Sequence, residues 1–316
     1  MRRGARLPPA RPPAARTLAA LAALAALLLA GCATAPTAPD PGAGGSANPR
    51  LSVSRSGAHA PAKPTPAIPT PTTPHPGAHA PARSLPHPSV PPHRRWGLDA
   101  PLAAAPQLPD RSSAPRAAAP GLLPVVDRVP TRDKVVFLTY DDGAERDPRF
   151  VDMVRELRLP VSMFLTDSVV GPGYGHFARL RAVGATVQNH TLDHTALRGL
   201  PYAGQRAEIC GQQNKLKQRF GVRPTLFRPP YGVHDTTTLR AAADCGLSAV
   251  VLWRASMQIH DLRYAVGDRL RPGDIVLAGF RGPDQLQGTT LTEMTTRLLR
   301  RVQEQGLTVG RLEDYL

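Results

Sequence analysis

Three short polar segments carry residue types that could together perform hydrolysis. Residues 139–143 read TYDDG, residues 190–194 read HTLDH and residues 228–232 read RPPYG. Adjacent carboxylates that close an apolar run are costly to bury without a partner, and a divalent cation is one such partner. Two histidines four residues apart can converge on one ion from a helix or a tight loop. These residue types therefore suggest a metal-assisted hydrolytic centre.

Each segment also has a simpler explanation when it is taken alone. An Asp-Gly pair can terminate a strand in a turn, and Arg-Pro-Pro is a common turn signal. Two histidines at this spacing are often incidental. The order of the three segments, and their placement after successive predicted strands, favours the chemical interpretation.

The elements that must position these segments alternate along the chain after residue 131. Continuous apolar runs predict buried strands, and apolar residues at helical spacing predict helices between them. The predicted strands cover residues 135–138, 161–165, 185–187, 226–227, 249–253, 275–277 and 307–309. The predicted helices cover residues 148–159, 177–183, 205–220, 236–245 and 291–305. This alternation predicts an α/β fold with parallel strands, and about seven strands favour a closed or distorted (β/α) barrel.

Taken together, the three segments resemble the motifs of the NodB-like polysaccharide deacetylases, carbohydrate esterase family four. TYDDG resembles the T-[FY]-D-D-G motif of that family, HTLDH its H-[ST]-x-x-H motif, and RPPYG its R-x-P-Y motif. The resemblance covers residues 134–316 and implies a distorted (β/α) barrel. It also implies that an acetylated polysaccharide, peptidoglycan or chitin-like, is hydrolysed to acetate and a free amine. Cleavage of O-acetyl esters is the alternative reaction for the same site.

The resemblance assigns roles to individual residues. A divalent cation, zinc, would be held by Asp142, His190 and His194. Asp141 would be the general base that takes a proton from the attacking water, and Arg228 would pair with Asp141 and hold it ionised. The backbone N–H of Tyr231 would help to stabilise the oxyanion. The substrate would be bound by Pro229, Tyr231 and Trp253.

Two positions depart from the family pattern. After Trp253 the family usually has an aspartate that tunes the acid, and here no carboxylate follows until Asp261. The second departure concerns the acid itself. The family carries Leu-x-His after a later strand, and its histidine donates a proton to the leaving amine. Here the segment is Leu277-Ala278-Gly279, so glycine stands where that histidine is expected. Loss of one positioned acid costs roughly 10²–10⁴ in rate. Three outcomes remain open: Asp141 serves as base and acid, His234 or His260 substitutes, or the domain is a metal-retaining pseudoenzyme that binds glycan.

The N-terminus predicts export and a lipid anchor. Residues 1–16 contain five arginines, and residues 17–30 are almost entirely Ala and Leu. This pattern is typical of a secretory signal, and the apolar run is too short for a stable transmembrane anchor. The segment ends in Leu-Ala-Gly-Cys at Cys32, which resembles the bacterial lipobox, although an ordinary signal with a chance cysteine is the alternative. We therefore expect a signal peptide over 1–31, lipidation at Cys32, and an extracytoplasmic protein anchored to the cell membrane.

Composition divides the remainder into two parts. Of the 36 prolines, 27 lie at or before Pro130. A disordered Pro/Ala-rich linker is therefore predicted over 32–130, followed by the deacetylase-like domain over 131–316. The net charge of +15 comes largely from the N-terminal region, and no arginine run alternates with aromatic residues, which argues against nucleic-acid binding. Within the domain, Cys210 and Cys245 could form a disulfide or remain two buried thiols.

Overall fold

The computed structural model describes residues 90–106 and 119–316. The predicted signal peptide, Cys32 and most of the predicted linker lie outside these residues. Within the described part, no helix combines the length and the hydropathy that a membrane span needs.

Ten strands and seven helices form in the described residues. In chain order they are α1 (Pro92–Arg95), β1 (Val125–Val126), β2 (Val135–Asp142), α2 (Pro148–Leu157), β3 (Val161–Leu165), α3 (Asp167–Val170), α4 (Tyr174–Ala182), β4 (Thr186–Asn189), α5 (Tyr202–Phe220), β5 (Leu226–Phe227), α6 (Thr236–Asp244), β6 (Ala249–Val251), β7 (Ala255–Met257), β8 (Leu262–Tyr264), β9 (Ile275–Gly279), α7 (Leu291–Glu304) and β10 (Thr308–Gly310).

The strands form one curled sheet in the order β1-β6-β5-β4-β3-β2-β9-β7-β8, and β10 pairs with β2. Every pairing is parallel except the β7–β8 hairpin. Helices connect the parallel strands, as crossovers in an α/β fold require. The predicted fold class, a distorted (β/α) barrel, is confirmed.

The strand count differs from the prediction, because β1, β7 and β8 were not anticipated. Each of these strands has only two or three residues. A strand this short carries too few residues to show either a continuous apolar run or an alternation. All seven predicted strands form.

The register of the parallel strands brings their carboxyl ends to one edge. Asp142 pairs with Leu165, Leu165 with Asn189, and Asn189 with Phe227. The residues that follow these positions along the chain therefore meet at the mouth of the barrel. This register decides where the site residues lie.

Helix α7, which connects β9 and β10, begins with a capping box. Thr290 caps the helix by accepting from the backbone N–H of Glu293, and the Glu293 side chain accepts in return from the backbone of Thr290. This reciprocal pair satisfies two donors at the helix start. The buried face of the helix then packs on the sheet through Leu291, Met294, Leu298 and Val302.

Residues 90–106 pack onto the domain, so the predicted linker boundary at residue 130 is wrong for this segment. Leu98 is 1% exposed and belongs to the main core. The indole N–H of Trp96 donates to Glu156 on α2 at 2.8 Å, and Arg300 on α7 donates to the carbonyl of Gly97 at 2.9 Å. The high proline content hid this segment. Apart from the one-turn helix α1, its backbone carbonyls accept hydrogen bonds from side chains of the domain and not from a strand or a long helix.

The two cysteines of the domain form a disulfide. Cys210 on α5 is bonded to Cys245, the residue that caps the end of α6. The two residues are 35 apart in sequence, and their Cα atoms lie 5.0 Å apart because α5 and α6 pack side by side. This resolves the alternative that the sequence left open.

Candidate metal centre

The first site segment follows directly from the end of β2. Tyr140 points into the core on the helix side of the sheet, where its ring packs against Phe150 and Phe280. Because side chains alternate along a strand, Asp141 points to the opposite face, into the barrel. Asp142 has a φ of 75°, which turns the chain out of the strand. The turn continues through Gly143, where an added Cβ would lie 2.6 Å from Val170.

The backbone of the site is strained at several positions. Six non-glycine residues of the described part have positive φ, and four of them lie at the site. The four are Asp142, Thr191, His194 and Tyr231. Such conformations cost free energy and concentrate where a function over-determines the geometry.

Asp142, His190 and His194 converge at the barrel mouth. One potential ligand atom from each lies within 4.8 Å of the other two. The Nε2 atoms of His190 and His194 lie 3.6 Å and 3.3 Å from Oδ1 of Asp142. Two imidazole nitrogens and one carboxylate oxygen are a common ligand set for a catalytic divalent cation, which leaves positions open for water and substrate.

The position of His194, the second histidine of the cluster, depends on a tight loop. The backbone N–H of His194 donates to the hydroxyl of Thr191 at 3.1 Å, and Thr191 N–H donates to the side chain of Asn189 at 3.0 Å. Asn189 in turn donates to the carbonyl of Ile209 on α5 at 2.9 Å. The chain between the two histidines is therefore held by buried polar groups, and both rings are turned toward Asp142.

A hydrogen bond fixes the orientation of His190. Its Nδ1 lies 2.6 Å from the carbonyl oxygen of Arg228, so Nδ1–H donates and Nε2 is left to face Asp142. Burial lowers the pKa of His190 to about 4, although the charge of Asp142 opposes this effect. The imidazole is therefore neutral at physiological pH, and neutral imidazole is the form that binds metal ions.

These residues fit a bound cation. Oδ1 of Asp142 is buried and has no hydrogen-bond partner among the described residues, although it is the atom nearest both histidines. A buried carboxylate oxygen without a partner is costly, and a cation between it and the two imidazoles would remove that cost. The cluster is thus a possible metal site of the Asp/His/His type.

Asp141 lies beside this cluster in a buried ion pair. Nη1 of Arg228 donates to Oδ1 of Asp141 at 2.6 Å, and Oδ2 of Asp141 lies 3.8 Å from Nε2 of His190. Burial raises the pKa of Asp141 above its ordinary value, and the charge and hydrogen bond of Arg228 oppose this rise. The expected effect of Arg228 is thus present, but burial is the larger influence. A carboxylate with a raised pKa is a better proton acceptor than an ordinary aspartate.

Arg228 is fully buried, and its other contacts hold it in place. It donates to the Thr139 hydroxyl at 2.9 Å and to the carbonyls of Val251 and Leu252 at 3.1 Å and 3.2 Å. Its guanidinium also lies 4.3 Å from the ring centre of Phe164. Thr139 was not singled out from the sequence. It lies two residues before Asp141, on the same face of β2, so strand alternation was the signal that could have found it.

Two aromatic side chains lie near the site, Tyr231 beside His194 and Trp253 beside Arg228. Tyr231, in the short 3₁₀ turn Pro230–Gly232 that follows Pro229, is 66% exposed, and its ring centre lies 4.8 Å from that of His194. The ring centre of Trp253 lies 5.6 Å from Cζ of Arg228. The same ring packs against Gly232, where an added Cβ would lie 3.0 Å from it. An exposed aromatic ring beside a polar site is a surface on which a sugar ring could stack.

Comparison with known proteins identifies the family of this chain. The family profile described as polysaccharide deacetylase matches residues 128–250. An uncharacterised protein of Streptomyces coelicolor, SCO4760, is 64% identical over 197 residues, which is 62% of this chain and 78% of that protein. The chain belongs to the polysaccharide deacetylase family.

Solved structures of this family share the fold. The Bc1960 peptidoglycan N-acetylglucosamine deacetylase aligns with a TM-score of 0.53 and 20% identity, over 61% of this chain and 92% of that chain. BA3943 of Bacillus anthracis, described as a family pseudoenzyme, aligns with a TM-score of 0.52 and 19% identity, over 60% and 68% of the two chains. At these identities the likeness concerns the fold.

Gly279 is the residue at which the resemblance of the sequence motifs leads one to expect a histidine proton donor. It is the last residue of β9 and pairs with Asp141, so a side chain at this position would face the barrel mouth. Two histidines were considered as replacements. His234 is half-buried and its Nδ1 lies 3.2 Å from the carbonyl of Gly232, and His260 is exposed in the turn between β7 and β8. Among the described residues, neither ring forms a hydrogen bond or ion pair with the cluster.

Proposed function

We propose that this protein is a metal-dependent hydrolase that removes N-acetyl groups from an amino-sugar polymer of the cell envelope or exterior. The observation that carries the proposal is the convergence of Asp142, His190 and His194 next to a buried Asp141–Arg228 pair. Family membership agrees with it. We further propose zinc as the cation, because two imidazoles and one carboxylate suit it well.

Each residue of the site has its own role in the proposed reaction. When bound, the cation supplies Lewis-acid polarisation of the reacting oxygen atoms. Asp141 accepts a proton from the attacking water, and Arg228 holds its carboxylate in position. The backbone N–H of Tyr231 donates to the oxyanion that develops on the acetyl carbonyl. Tyr231 and Trp253 provide apolar surface for the sugar ring, and Pro229 contributes from the position just before the turn that carries Tyr231.

The first test is acetate release from chito-oligomers and from purified peptidoglycan, with zinc and with a chelator. We expect release with zinc, a loss of at least about 10²-fold after chelation, and recovery when zinc is added back. Recovery separates loss of the cation from damage to the protein. If no acetate is released from either polymer in the presence of zinc, deacetylase activity is excluded for these substrates.

The glycine at position 279 favours a second candidate function. Without a positioned acid, an amine leaves slowly, whereas an alkoxide from an O-acetyl ester needs the proton less. The domain could therefore act mainly as an O-acetyl esterase, or as a metal-retaining pseudoenzyme that binds glycan. Acetate release from O-acetylated and N-acetylated forms of one polymer separates these functions, since a pseudoenzyme releases acetate from neither.

We also propose that the protein is exported and lipidated at Cys32. The basic segment, the short apolar run and the Leu-Ala-Gly-Cys sequence support this proposal. Globomycin blocks lipoprotein signal peptidase, so we expect an uncleaved precursor to accumulate in its presence. Cys32→Ser should remain precursor without the drug, as the matched control. Normal maturation of the wild type under globomycin would contradict lipidation.

A further inference from the structure

Arg281 lies at the barrel mouth and has no role in the reaction as described so far. It follows β9, whose last residue Gly279 pairs with Asp141. The pairing continues past the strand, since Phe280 N–H donates to the Asp141 carbonyl at 3.0 Å and Ala144 N–H donates to the Phe280 carbonyl at 3.1 Å. The chain is therefore held against the loop that carries Asp141 and Asp142.

Arg281 follows the end of β9 by two residues, and its side chain lies on the same side of the chain as Gly279. The ring of Phe280 is fully buried on the helix side of the sheet, where it packs against Tyr140 at 5.2 Å and Phe177 at 5.3 Å. Gly279 faces the opposite way by strand alternation. The side chain of Arg281 lies on that same side, since its Cγ is 3.3 Å from the position of a Cβ atom at Gly279. That is the face to which Asp141 points.

The side chain of Arg281 covers Gly279. A Cβ atom added at Gly279 would lie 3.3 Å from Cγ and 3.6 Å from Nε of Arg281. The guanidinium reaches across to the carbonyl of Met257 on β7, with Nη2 at 3.4 Å. Arg281 thus occupies space that a side chain at position 279 would need, beside the cluster.

The guanidinium of Arg281 lies beside Gly279, the residue that pairs with Asp141, and it has no acidic partner. Among the described residues, Arg281 forms no salt bridge, and the contact with Met257 is its one side-chain hydrogen bond. A half-buried guanidinium in this situation has donors left for a ligand.

The chemistry of arginine limits what this group can do. A guanidinium stays protonated in proteins, so Arg281 cannot give a proton to a leaving amine and does not replace the missing acid. Its planar fork matches a carboxylate, which it can bind through two parallel hydrogen bonds. It therefore suits recognition of an anionic group on the substrate.

We propose that Arg281 is a specificity-determining residue that binds a carboxylate carried by the glycan. The preferred substrate would then be an acetylated amino-sugar polymer with a carboxylate on the reacting sugar or its neighbour, and not a neutral polymer. This inference rests on the proposed function for its reaction, but the recognition it describes can be measured without turnover.

The test uses two probes that differ only in the carboxylate. Peptide-free peptidoglycan oligomers with free carboxylates are compared with the same oligomers after conversion of the carboxylates to amides. Calorimetry on the zinc-loaded full-length protein gives the affinity for each probe. We expect the wild type to bind the carboxylate form roughly tenfold more tightly. Arg281→Gln should bring the ratio of the two affinities close to one, while Arg281→Lys should keep part of the preference.

The control variant is Arg301→Gln, at an exposed arginine on α7 that pairs with Glu304. It should leave the ratio of affinities at the wild-type value. If Arg281 only fills space over Gly279, Arg281→Gln changes both affinities by the same factor, and the proposal is overturned. A wild type that does not distinguish the probes overturns it as well. Acetate release is measured in parallel, so a failure of the proposed function is seen as absent turnover with the binding preference intact.

Discussion

His190→Ala is expected to lower zinc affinity by at least about 10²-fold and to reduce acetate release to the background rate. The Nε2 atom of His190 lies 3.6 Å from Oδ1 of Asp142, and the ring is held by the Arg228 carbonyl. Removal of the ring deletes one of three ligands and leaves the buried oxygen of Asp142 with one imidazole. Zinc content after dialysis and acetate release are the two measurements.

Controls separate loss of the ligand from loss of the fold. Asp142→Asn keeps the size of its side chain while it removes the charge, so it should lose zinc with little change in thermal unfolding of the metal-free protein. His260→Ala removes an exposed imidazole that does not contact the cluster, and its zinc content should be that of the wild type. Full zinc retention by His190→Ala would refute the ligand assignment. A loss of activity in His260→Ala would instead revive this histidine as the proton donor.

Gly279→His is expected to raise turnover of N-acetylated oligomers by about 10-fold to 10²-fold. A positioned acid is worth about 10²–10⁴ when its geometry is ideal, and an engineered histidine reaches only part of that. The backbone of Gly279 does not require a positive φ, so the substitution carries no conformational penalty of that kind. The added Cβ lies 3.3 Å from Cγ of Arg281, and this flexible side chain can shift. The gain should be smaller for an O-acetyl ester, because an alkoxide leaves more readily.

Gly279→Ala is the matched control, since it adds the Cβ without a proton donor and should give no increase. A histidine that donates a proton must be protonated, so the added activity of Gly279→His should be lost as the pH rises through the histidine pKa. Equal turnover in Gly279→His and Gly279→Ala would show that the missing acid does not limit the reaction. An increase from a wild type with no activity would identify the domain as a pseudoenzyme that lost this one group.

Most of the fold could be predicted from the sequence, because the long buried strands are apolar runs that alternate with helices along the chain. All seven predicted strands form. The positions of the three polar segments also followed, since parallel strands place their carboxyl ends at one edge. The short strands β1, β7 and β8 could not be predicted, because two or three residues are too few to show a periodic pattern.

What the sequence by itself determined is the identity and order of the polar segments and the elements that carry them, because strand and helix periods are local properties of the chain. Tertiary structure decided what depends on distances between remote residues. The Cys210–Cys245 bond needed the side-by-side packing of α5 and α6. The docking of residues 90–106 needed partners on α2 and α7. The pKa of Asp141 is raised because its burial outweighs the opposing charge of Arg228, and burial is a property of the folded chain. The position of Arg281 over Gly279 depended on the register between β2 and β9.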